Sequence, residues 1–211
     1  MPDSWGLRDV FKELRPHQWV KNILLFLPLL VAHDLSLSSL TAAFAATVAF
    51  SLGASSIYIL NDMLDLAADR RHPEKRNRPI ASGRLPIRAA MAISTTLVMF
   101  SLGLSWSIAP DVAAMTFTYM LSSLIYSLYL KKLVWIDLLT LASLFLLRVL
   151  TGAVATGSDT PLWLIGFVFG TFFSLACVKR ITALARAFKG GHLPGRGYDH
   201  NDSVRLQWAA I

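Results

Sequence analysis

Asn61-Asp62-Met63-Leu64-Asp65-Leu66-Ala67-Ala68-Asp69 follows directly on an apolar run, Leu40–Leu60, that contains no Asp, Glu, Lys or Arg. A run of roughly 20 such residues is the length of a helix that crosses a bilayer. At about 100° per residue, Ser51, Ser55, Tyr58, Asp62, Asp65 and Asp69 fall within one narrow stripe. The stripe starts inside the apolar run and ends in three carboxylates at its edge. Three like charges spaced i, i+3 and i+7 repel one another, and the repulsion grows as they are withdrawn from water.

The rest of the chain repeats the apolar theme. Ala89–Ala109, Val112–Leu130 and Pro161–Val178 are also free of charged side chains, apart from Asp or basic residues at their flanks. Leu133–Ala155 is a fifth span and holds Asp137 and Arg148. Ile23–His33 is short and needs Trp19 and Val20, or a tilt, to complete a sixth. Hydrophobic residues make up 55% of the chain and charged ones only 16%, which excludes a disordered chain and an ordinary soluble domain. The single Cys177 excludes a disulfide scaffold. The expected architecture is all-α: one polytopic transmembrane helical bundle over residues 1–211, with six spans.

Net charge is +7, and its placement follows the spans. Nineteen of the 20 Lys and Arg fall in the N-terminal segment, the loops after spans two and four, and the tail after span six. The alternate loops, near Asp34, Pro110 and Gly157–Thr160, have none. Cationic loops stay in the cytoplasm. The expectation is an integral protein of a bacterial-type plasma membrane, with membrane lipid around it and the N-terminus and charged loops cytoplasmic. Because the basic residues track topology, no nucleic-acid partner is expected.

The loop after span two carries seven cations, more than orientation requires. It reads Arg70-Arg71-His72-Pro73-Glu74-Lys75-Arg76-Asn77-Arg78-Pro79. Acids followed at once by cations suit a sandwich in which a divalent cation joins Asp to phosphate and Lys or Arg neutralise the remaining oxygens. Oxygen-only donors point to Mg²⁺, and the scattered His offer no zinc site. Asp62, Asp65 and Asp69 are the expected metal ligands, and Lys75, Arg76 and Arg78 the expected phosphate cations. On span four, Tyr126 is the best placed of Tyr119, Tyr126 and Tyr129 to act in a site, by its ring or its hydroxyl. Asp137 and Arg148 share one face of span five. Arg148 lies roughly 22 Å along the helix from Leu133, so a pairing role between helices is expected of it.

These residues carry a family resemblance. Asn61-Asp62-x-x-Asp65-x-x-x-Asp69 resembles the first aspartate motif of the UbiA superfamily of intramembrane prenyltransferases, and Lys75-Arg76-Asn77-Arg78-Pro79-Ile80-Ala81-Ser82-Gly83 resembles the stretch that follows it there. Arg15-Pro16-His17-Gln18-Trp19-Val20-Lys21-Asn22 and Leu193-Pro194-Gly195-Arg196-Gly197-Tyr198 resemble a narrower branch. That branch holds decaprenyl-phosphate phosphoribosyltransferases and UbiA-like domains fused to phosphatase-like ones. The resemblance implies a bundle of nine helices, of which this chain has six, ending at the entry to a seventh near Val204. It also implies a mouth where Mg²⁺ holds a diphosphate, with Asn61, Asp62, Asp65 and Asp69 catalytic; Tyr126, from its place on span four, is expected to act with them. Lys179 and Arg180 join the cations on the diphosphate. Ala183 stands where the branch usually has Glu, and Asp199 or Asp202 could substitute.

The implied donor is an isoprenoid or phosphoribosyl diphosphate, and the acceptor a lipid-soluble molecule. Three readings remain open: prenyl transfer, phosphoribosyl transfer to a polyprenyl phosphate, and a non-catalytic transporter or scaffold. Acids at the edge of the membrane beside a basic loop, rather than at its midplane, speak against transport.

Overall fold

The computed structural model describes residues 5–186, Tyr198 and residues 202–210. Among these there are helices and no strands. A short helix α1 (Leu7–Leu14) leads into a 3-10 stretch, Pro16–Phe26, and a single α-turn, α2 (Leu27–Val31). Then come α3 (Leu37–Leu64), α4 (Leu66–Arg71), α5 (Ile87–Ile108), α6 (Pro110–Leu128), α7 (Val134–Thr156), α8 (Leu162–Arg186) and α9 (Asp202–Ala209). Helices α3, α5, α7 and the Leu162–Ala185 part of α8 are long and apolar enough to cross a membrane. Helix α6, with 19 residues, occupies the fourth expected run. The first expected span is not one helix: Pro16 and Pro28 divide it into the 3-10 stretch and α2.

That irregular backbone is tolerable at membrane depth only where protein covers it. Helix α7 does so. A Cβ on Gly152 would collide with the backbone of Leu25, so glycine lets the 3-10 stretch lie directly on α7. Helix α3 presents a face of small residues, including Ala43, Ala46, Ala49, Gly53 and Ala54, all buried. A Cβ on Gly53 would stand 2.8 Å from Ser101 Oγ and 3.0 Å from Met120 Sδ. Serines on α5 complete the packing: Ser101 donates to Ala49 O at 2.7 Å and Ser94 to Ser56 O at 3.1 Å. Close backbones and interhelical hydroxyl bonds hold helices together where lipid removes the hydrophobic drive.

The chain reverses tightly at its ends. Pro110 opens α6 directly after extended Ala109, and Gly157 closes α7 in the left-handed region at φ 66°. The C-terminal end of α3, the start of α5, the end of α6 and the start of α7 therefore share one end of the bundle, together with nearly all the charge. Helix α9 packs on α8, with Leu206 and Tyr198 buried against Leu138, Ala176 and Cys177. The motif residues 193–197 and Asp199 lie outside the described residues.

Candidate active site

The polar stripe of α3 receives the segment Arg15–Asn22. Asn22 donates its amide to Ser51 Oγ at 2.8 Å, and Trp19 donates Nε1 to Ser55 Oγ at 2.9 Å. Ser55 in turn donates to Leu14 O at 2.7 Å. Arg15 sits over the Tyr58 ring, 5.3 Å from its centroid, and reaches Asp62 with Nη2, at 2.7 Å from Oδ1 and 2.5 Å from Oδ2. Two stretches that are far apart in sequence are thus one element of structure.

At the charged end Arg78 Nη1 donates to Asp62 Oδ1 at 2.9 Å and to Asp69 Oδ2 at 2.6 Å. Lys75 Nζ stands 3.8 Å from Asp69 Oδ1. The two buried carboxylates are therefore held by guanidinium and ammonium groups. Asp65 is apart from them. Helix α3 ends at Leu64, and Asp65 takes up φ −88°, ψ 7° before α4 begins. Its half-exposed carboxylate faces Lys131, 3.8 Å away on the turn between α6 and α7.

Of the three expected ligands, Asp62 and Asp69 meet at Arg78 while Asp65 faces Lys131, and among the described residues no three acid, His or Cys side chains are grouped to hold a metal. The stripe assumed one unbroken helix, and it could not foresee that Asp62 would turn to Arg15. One amide oxygen changes the donor set. Asn61 Oδ1 is the only buried side-chain N or O atom among the described residues without a hydrogen-bond partner. Leaving such an atom unpaired costs about 1–3 kcal/mol. Asn61, Asp65 and Asp69 follow at i, i+4 and i+8, and the backbone N–H of Asp65 still bonds to Asn61 O at 2.9 Å. An unsatisfied amide oxygen at the end of α3, in the motif that also carries Asp65 and Asp69, is a hard-oxygen donor of the kind Mg²⁺ takes.

The basic loop is shaped from below. Ile80, Leu85 and Ala90 pack with Ile59 of α3 and with Val10 and Leu14 of α1. Buried Glu13 accepts the Ile80 N–H at 3.0 Å, fixing the backbone two residues after Arg78. Burial pushes the Glu13 carboxyl up to about 7; the Ile80 N–H opposes this, and the Asp62 carboxylate adds to it. Arg70 Nε donates to Ala81 O at 3.2 Å. Arg76 is exposed on the loop. Arg15, Glu13 and Lys131 join the site in three dimensions although the sequence does not mark them as members. Arg15 opens the Arg15–Asn22 motif, the charge of Lys131 is accounted for by topology, and Glu13 has no signal in the sequence that points to the site.

Tyr126 and Arg180 form a second cluster around Asp137. Arg180 donates Nε to Asp137 Oδ2 at 2.6 Å and Nη2 to Oδ1 at 3.1 Å. Tyr126 donates to Oδ1 and Tyr198 to Oδ2, each at 2.7 Å. The geometry commits these groups to each other, whereas sequence placed Arg180 on a diphosphate. Lys179, the neighbouring residue, is exposed. Deeper in the bundle, Arg148 bonds Asn22 Oδ1 at 3.0 Å, Leu144 O at 2.6 Å and Tyr119 Oη at 2.9 Å. The rings of Phe50, Tyr119 and Phe145 surround its guanidinium at 4.8–5.5 Å. It ties α6, α7 and the 3-10 stretch together, in keeping with the expected pairing role.

Comparison with known proteins places this arrangement. The model for the UbiA prenyltransferase family matches residues 23–187. Nodulation protein NoeC of Azorhizobium caulinodans is 38% identical over 195 residues, covering 89% of this chain and 62% of that protein. Decaprenyl-phosphate phosphoribosyltransferase of Mycobacterium tuberculosis is 37% identical, covering 98% of this chain and 70% of that enzyme. The chain thus spans about two thirds of the length of these relatives. A UbiA homolog from Archaeoglobus fulgidus, solved bound to DMAPP and Mg²⁺, superposes with a TM-score of 0.77 over 96% of this chain and 72% of its own. At 16% identity that likeness establishes the fold.

Proposed function

The chain belongs to the UbiA prenyltransferase family of integral membrane transferases, and from that premise we propose that its charged mouth binds a diphosphate donor with Mg²⁺ and transfers the donor's organic group to a lipid-soluble acceptor. The observation that carries this reading is the unpartnered, buried Asn61 Oδ1, on the residue next in sequence to Asp62, which Arg15 and Arg78 hold. Asn61 and Asp69 would hold the metal, joined by Asp65 once its carboxylate leaves Lys131. Asp62 already accepts three hydrogen bonds from Arg15 and Arg78, and it serves as the residue that positions both guanidiniums. A bound Mg²⁺ would supply charge neutralisation on the diphosphate.

The chain's own cations do the rest. Arg78, Arg15 and Lys75 neutralise the phosphate oxygens as the carbon–oxygen bond breaks and its electron pair leaves with the diphosphate. The acceptor then forms the new bond to the electron-deficient carbon. Tyr126, Asp137 and Arg180 build the adjoining wall, and the packed helices limit water. The family supports prenyl transfer. The 37%-identical phosphoribosyltransferase favours a second reading, in which the donor is phosphoribosyl diphosphate and the acceptor a polyprenyl phosphate. The excess of cations in the loops supports a mouth that faces the cytoplasm.

The test is pyrophosphate release by the protein in nanodiscs, with Mg²⁺ and either geranyl diphosphate or phosphoribosyl diphosphate, in the presence of a polyprenyl phosphate. Asn61→Ala and Asp65→Asn should each weaken Mg²⁺-dependent donor binding about 10-fold or more, the scale of losing a metal-shell contact. Unchanged binding in both variants would remove these residues from the mechanism.

A further inference from the structure

Helix α1 has two faces of different character. At about 100° per residue, Asp9, Val10, Glu13 and Leu14 occupy one side. All four are engaged with the protein. Val10 and Leu14 pack against Ile59, Ile80 and Leu85, Glu13 holds the Ile80 N–H, and Asp9 accepts from Arg84 Nε at 3.0 Å. Leu7, Arg8, Phe11 and Lys12 fall in the remaining arc, and all four are exposed. Leu7 is 89% exposed and Phe11 59%, and at i and i+4 they make one contiguous apolar patch rather than scattered residues. Trp5, just before the helix, is exposed as well.

The outer arc is itself divided. Leu7 and Phe11 form an apolar edge, and Arg8 and Lys12 form a cationic edge beside it. Both acids of the helix are turned inward, so the outer face carries only positive charge. An apolar strip flanked by cations, with an aromatic at its end, is the pattern of a helix lying in the interfacial plane of a bilayer. Position agrees with pattern. The inner face of α1 is packed at the level of Ile59 and Ile80, one turn from Asp62, where α3 reaches the edge of its apolar run. The chain then continues into Val20 and Ile23, which are 69% and 65% exposed along the 3-10 stretch.

We infer that α1 is an interfacial anchor, with Leu7 and Phe11 in the acyl boundary and Arg8 and Lys12 on anionic phospholipid headgroups of the same leaflet. Because Glu13 and Arg15 lie at the other side and end of this helix, anionic lipid then fixes the backbone from which Arg15 reaches Asp62. The inference concerns a surface outside the mouth and stands whether the donor is prenyl or phosphoribosyl.

Cys177, the only cysteine, is buried, so an introduced thiol reports alone. The full protein carrying Leu7→Cys would be placed in nanodiscs of phosphatidylcholine alone or with about one third phosphatidylglycerol, and its alkylation by N-ethylmaleimide timed. Glu74→Cys, exposed on the basic loop, corrects for the effect of surface potential on thiol reactivity. Each surface cation contributes about 1 kcal/mol near an anionic leaflet, or roughly fivefold. Anionic lipid should therefore protect the thiol of the Leu7→Cys variant strongly. Arg8→Gln with Lys12→Gln should remove roughly 25-fold of that protection, the product of two such cations, while leaving the rate in phosphatidylcholine unchanged. Protection that is equal in the two lipids, or that survives the double substitution, overturns the inference, because the headgroup charge then plays no part in seating this face.

Discussion

The mouth and the Asp137 cluster are built from the same chemical pair, a carboxylate and a guanidinium, and they differ in what is left over. In the cluster, Arg180 and Asp137 are 5% and 0% exposed, and two tyrosine hydroxyls complete the carboxylate. Burial and the Asp137 carboxylate both push the Tyr198 hydroxyl up, keeping it a donor. In the mouth, Arg15 and Arg78 are 22% and 28% exposed, one guanidinium is shared between two acids, and the amide oxygen of Asn61, next in sequence to Asp62, has no partner. The sealed pair holds helices. The open one has side chains that can exchange a protein partner for a phosphate or a cation. A buried ion pair is by itself weak evidence of function or stability; incomplete satisfaction at an accessible edge is the better sign of a ligand site.

The sharpest way to break this contrast is at Arg180. Arg180→Gln leaves Asp137 charged and buried, and such losses cost about 3–5 kcal/mol. Thermal unfolding in detergent should fall steeply, whether or not Mg²⁺ and diphosphate are present. A variant that melts normally but loses donor binding would move Arg180 into the mouth.

Glu13, beneath the mouth, should show itself through pH. Its folded value of about 7 lies above the ordinary 4.5, so the folded state holds the proton more tightly. That stabilisation is complete below pH 4.5 and is lost as pH rises through 7, a change on the order of 3 kcal/mol. Glu13→Gln keeps an acceptor for the Ile80 N–H and should flatten the stability profile over that window. Parallel profiles for the two proteins would show that Glu13 does not carry the proton.

Within the basic loop, Arg78→Ala should lower diphosphate binding by about 10–150-fold, since a charge-assisted bond contributes about 1.5–3 kcal/mol. Membrane insertion should be unaffected, because the other loop cations still fix orientation. Arg84→Ala loses an exposed pair with Asp9, of a kind measured at about 0.2–1 kcal/mol. It should leave donor binding almost intact. Equal, small effects at positions 78 and 84 would reduce the loop to a topology signal.

Much of the bundle was legible in one dimension, because bilayer-crossing helices must be long and uniformly apolar. The runs over α3, α5, α6, α7 and α8 announce themselves by length and absence of charge. The first span read less well. Its two prolines and short apolar length are accommodated by Gly152 of α7, a contact between residues far apart in the chain that periodicity does not encode.

The site divides in the same way. Sequence alone determined that acids and cations gather at one end of the second span, because composition and spacing suffice to place charge at a membrane edge. Tertiary structure decided which charges meet. It gave Asp62 to Arg15, Asp137 to Arg180 and two tyrosines, and left Asn61 Oδ1 without a partner. The physical reason is that ion pairs and hydrogen bonds are made over about 3 Å between side chains that folding brings together. Helical spacing fixes only which residues of one helix share a face.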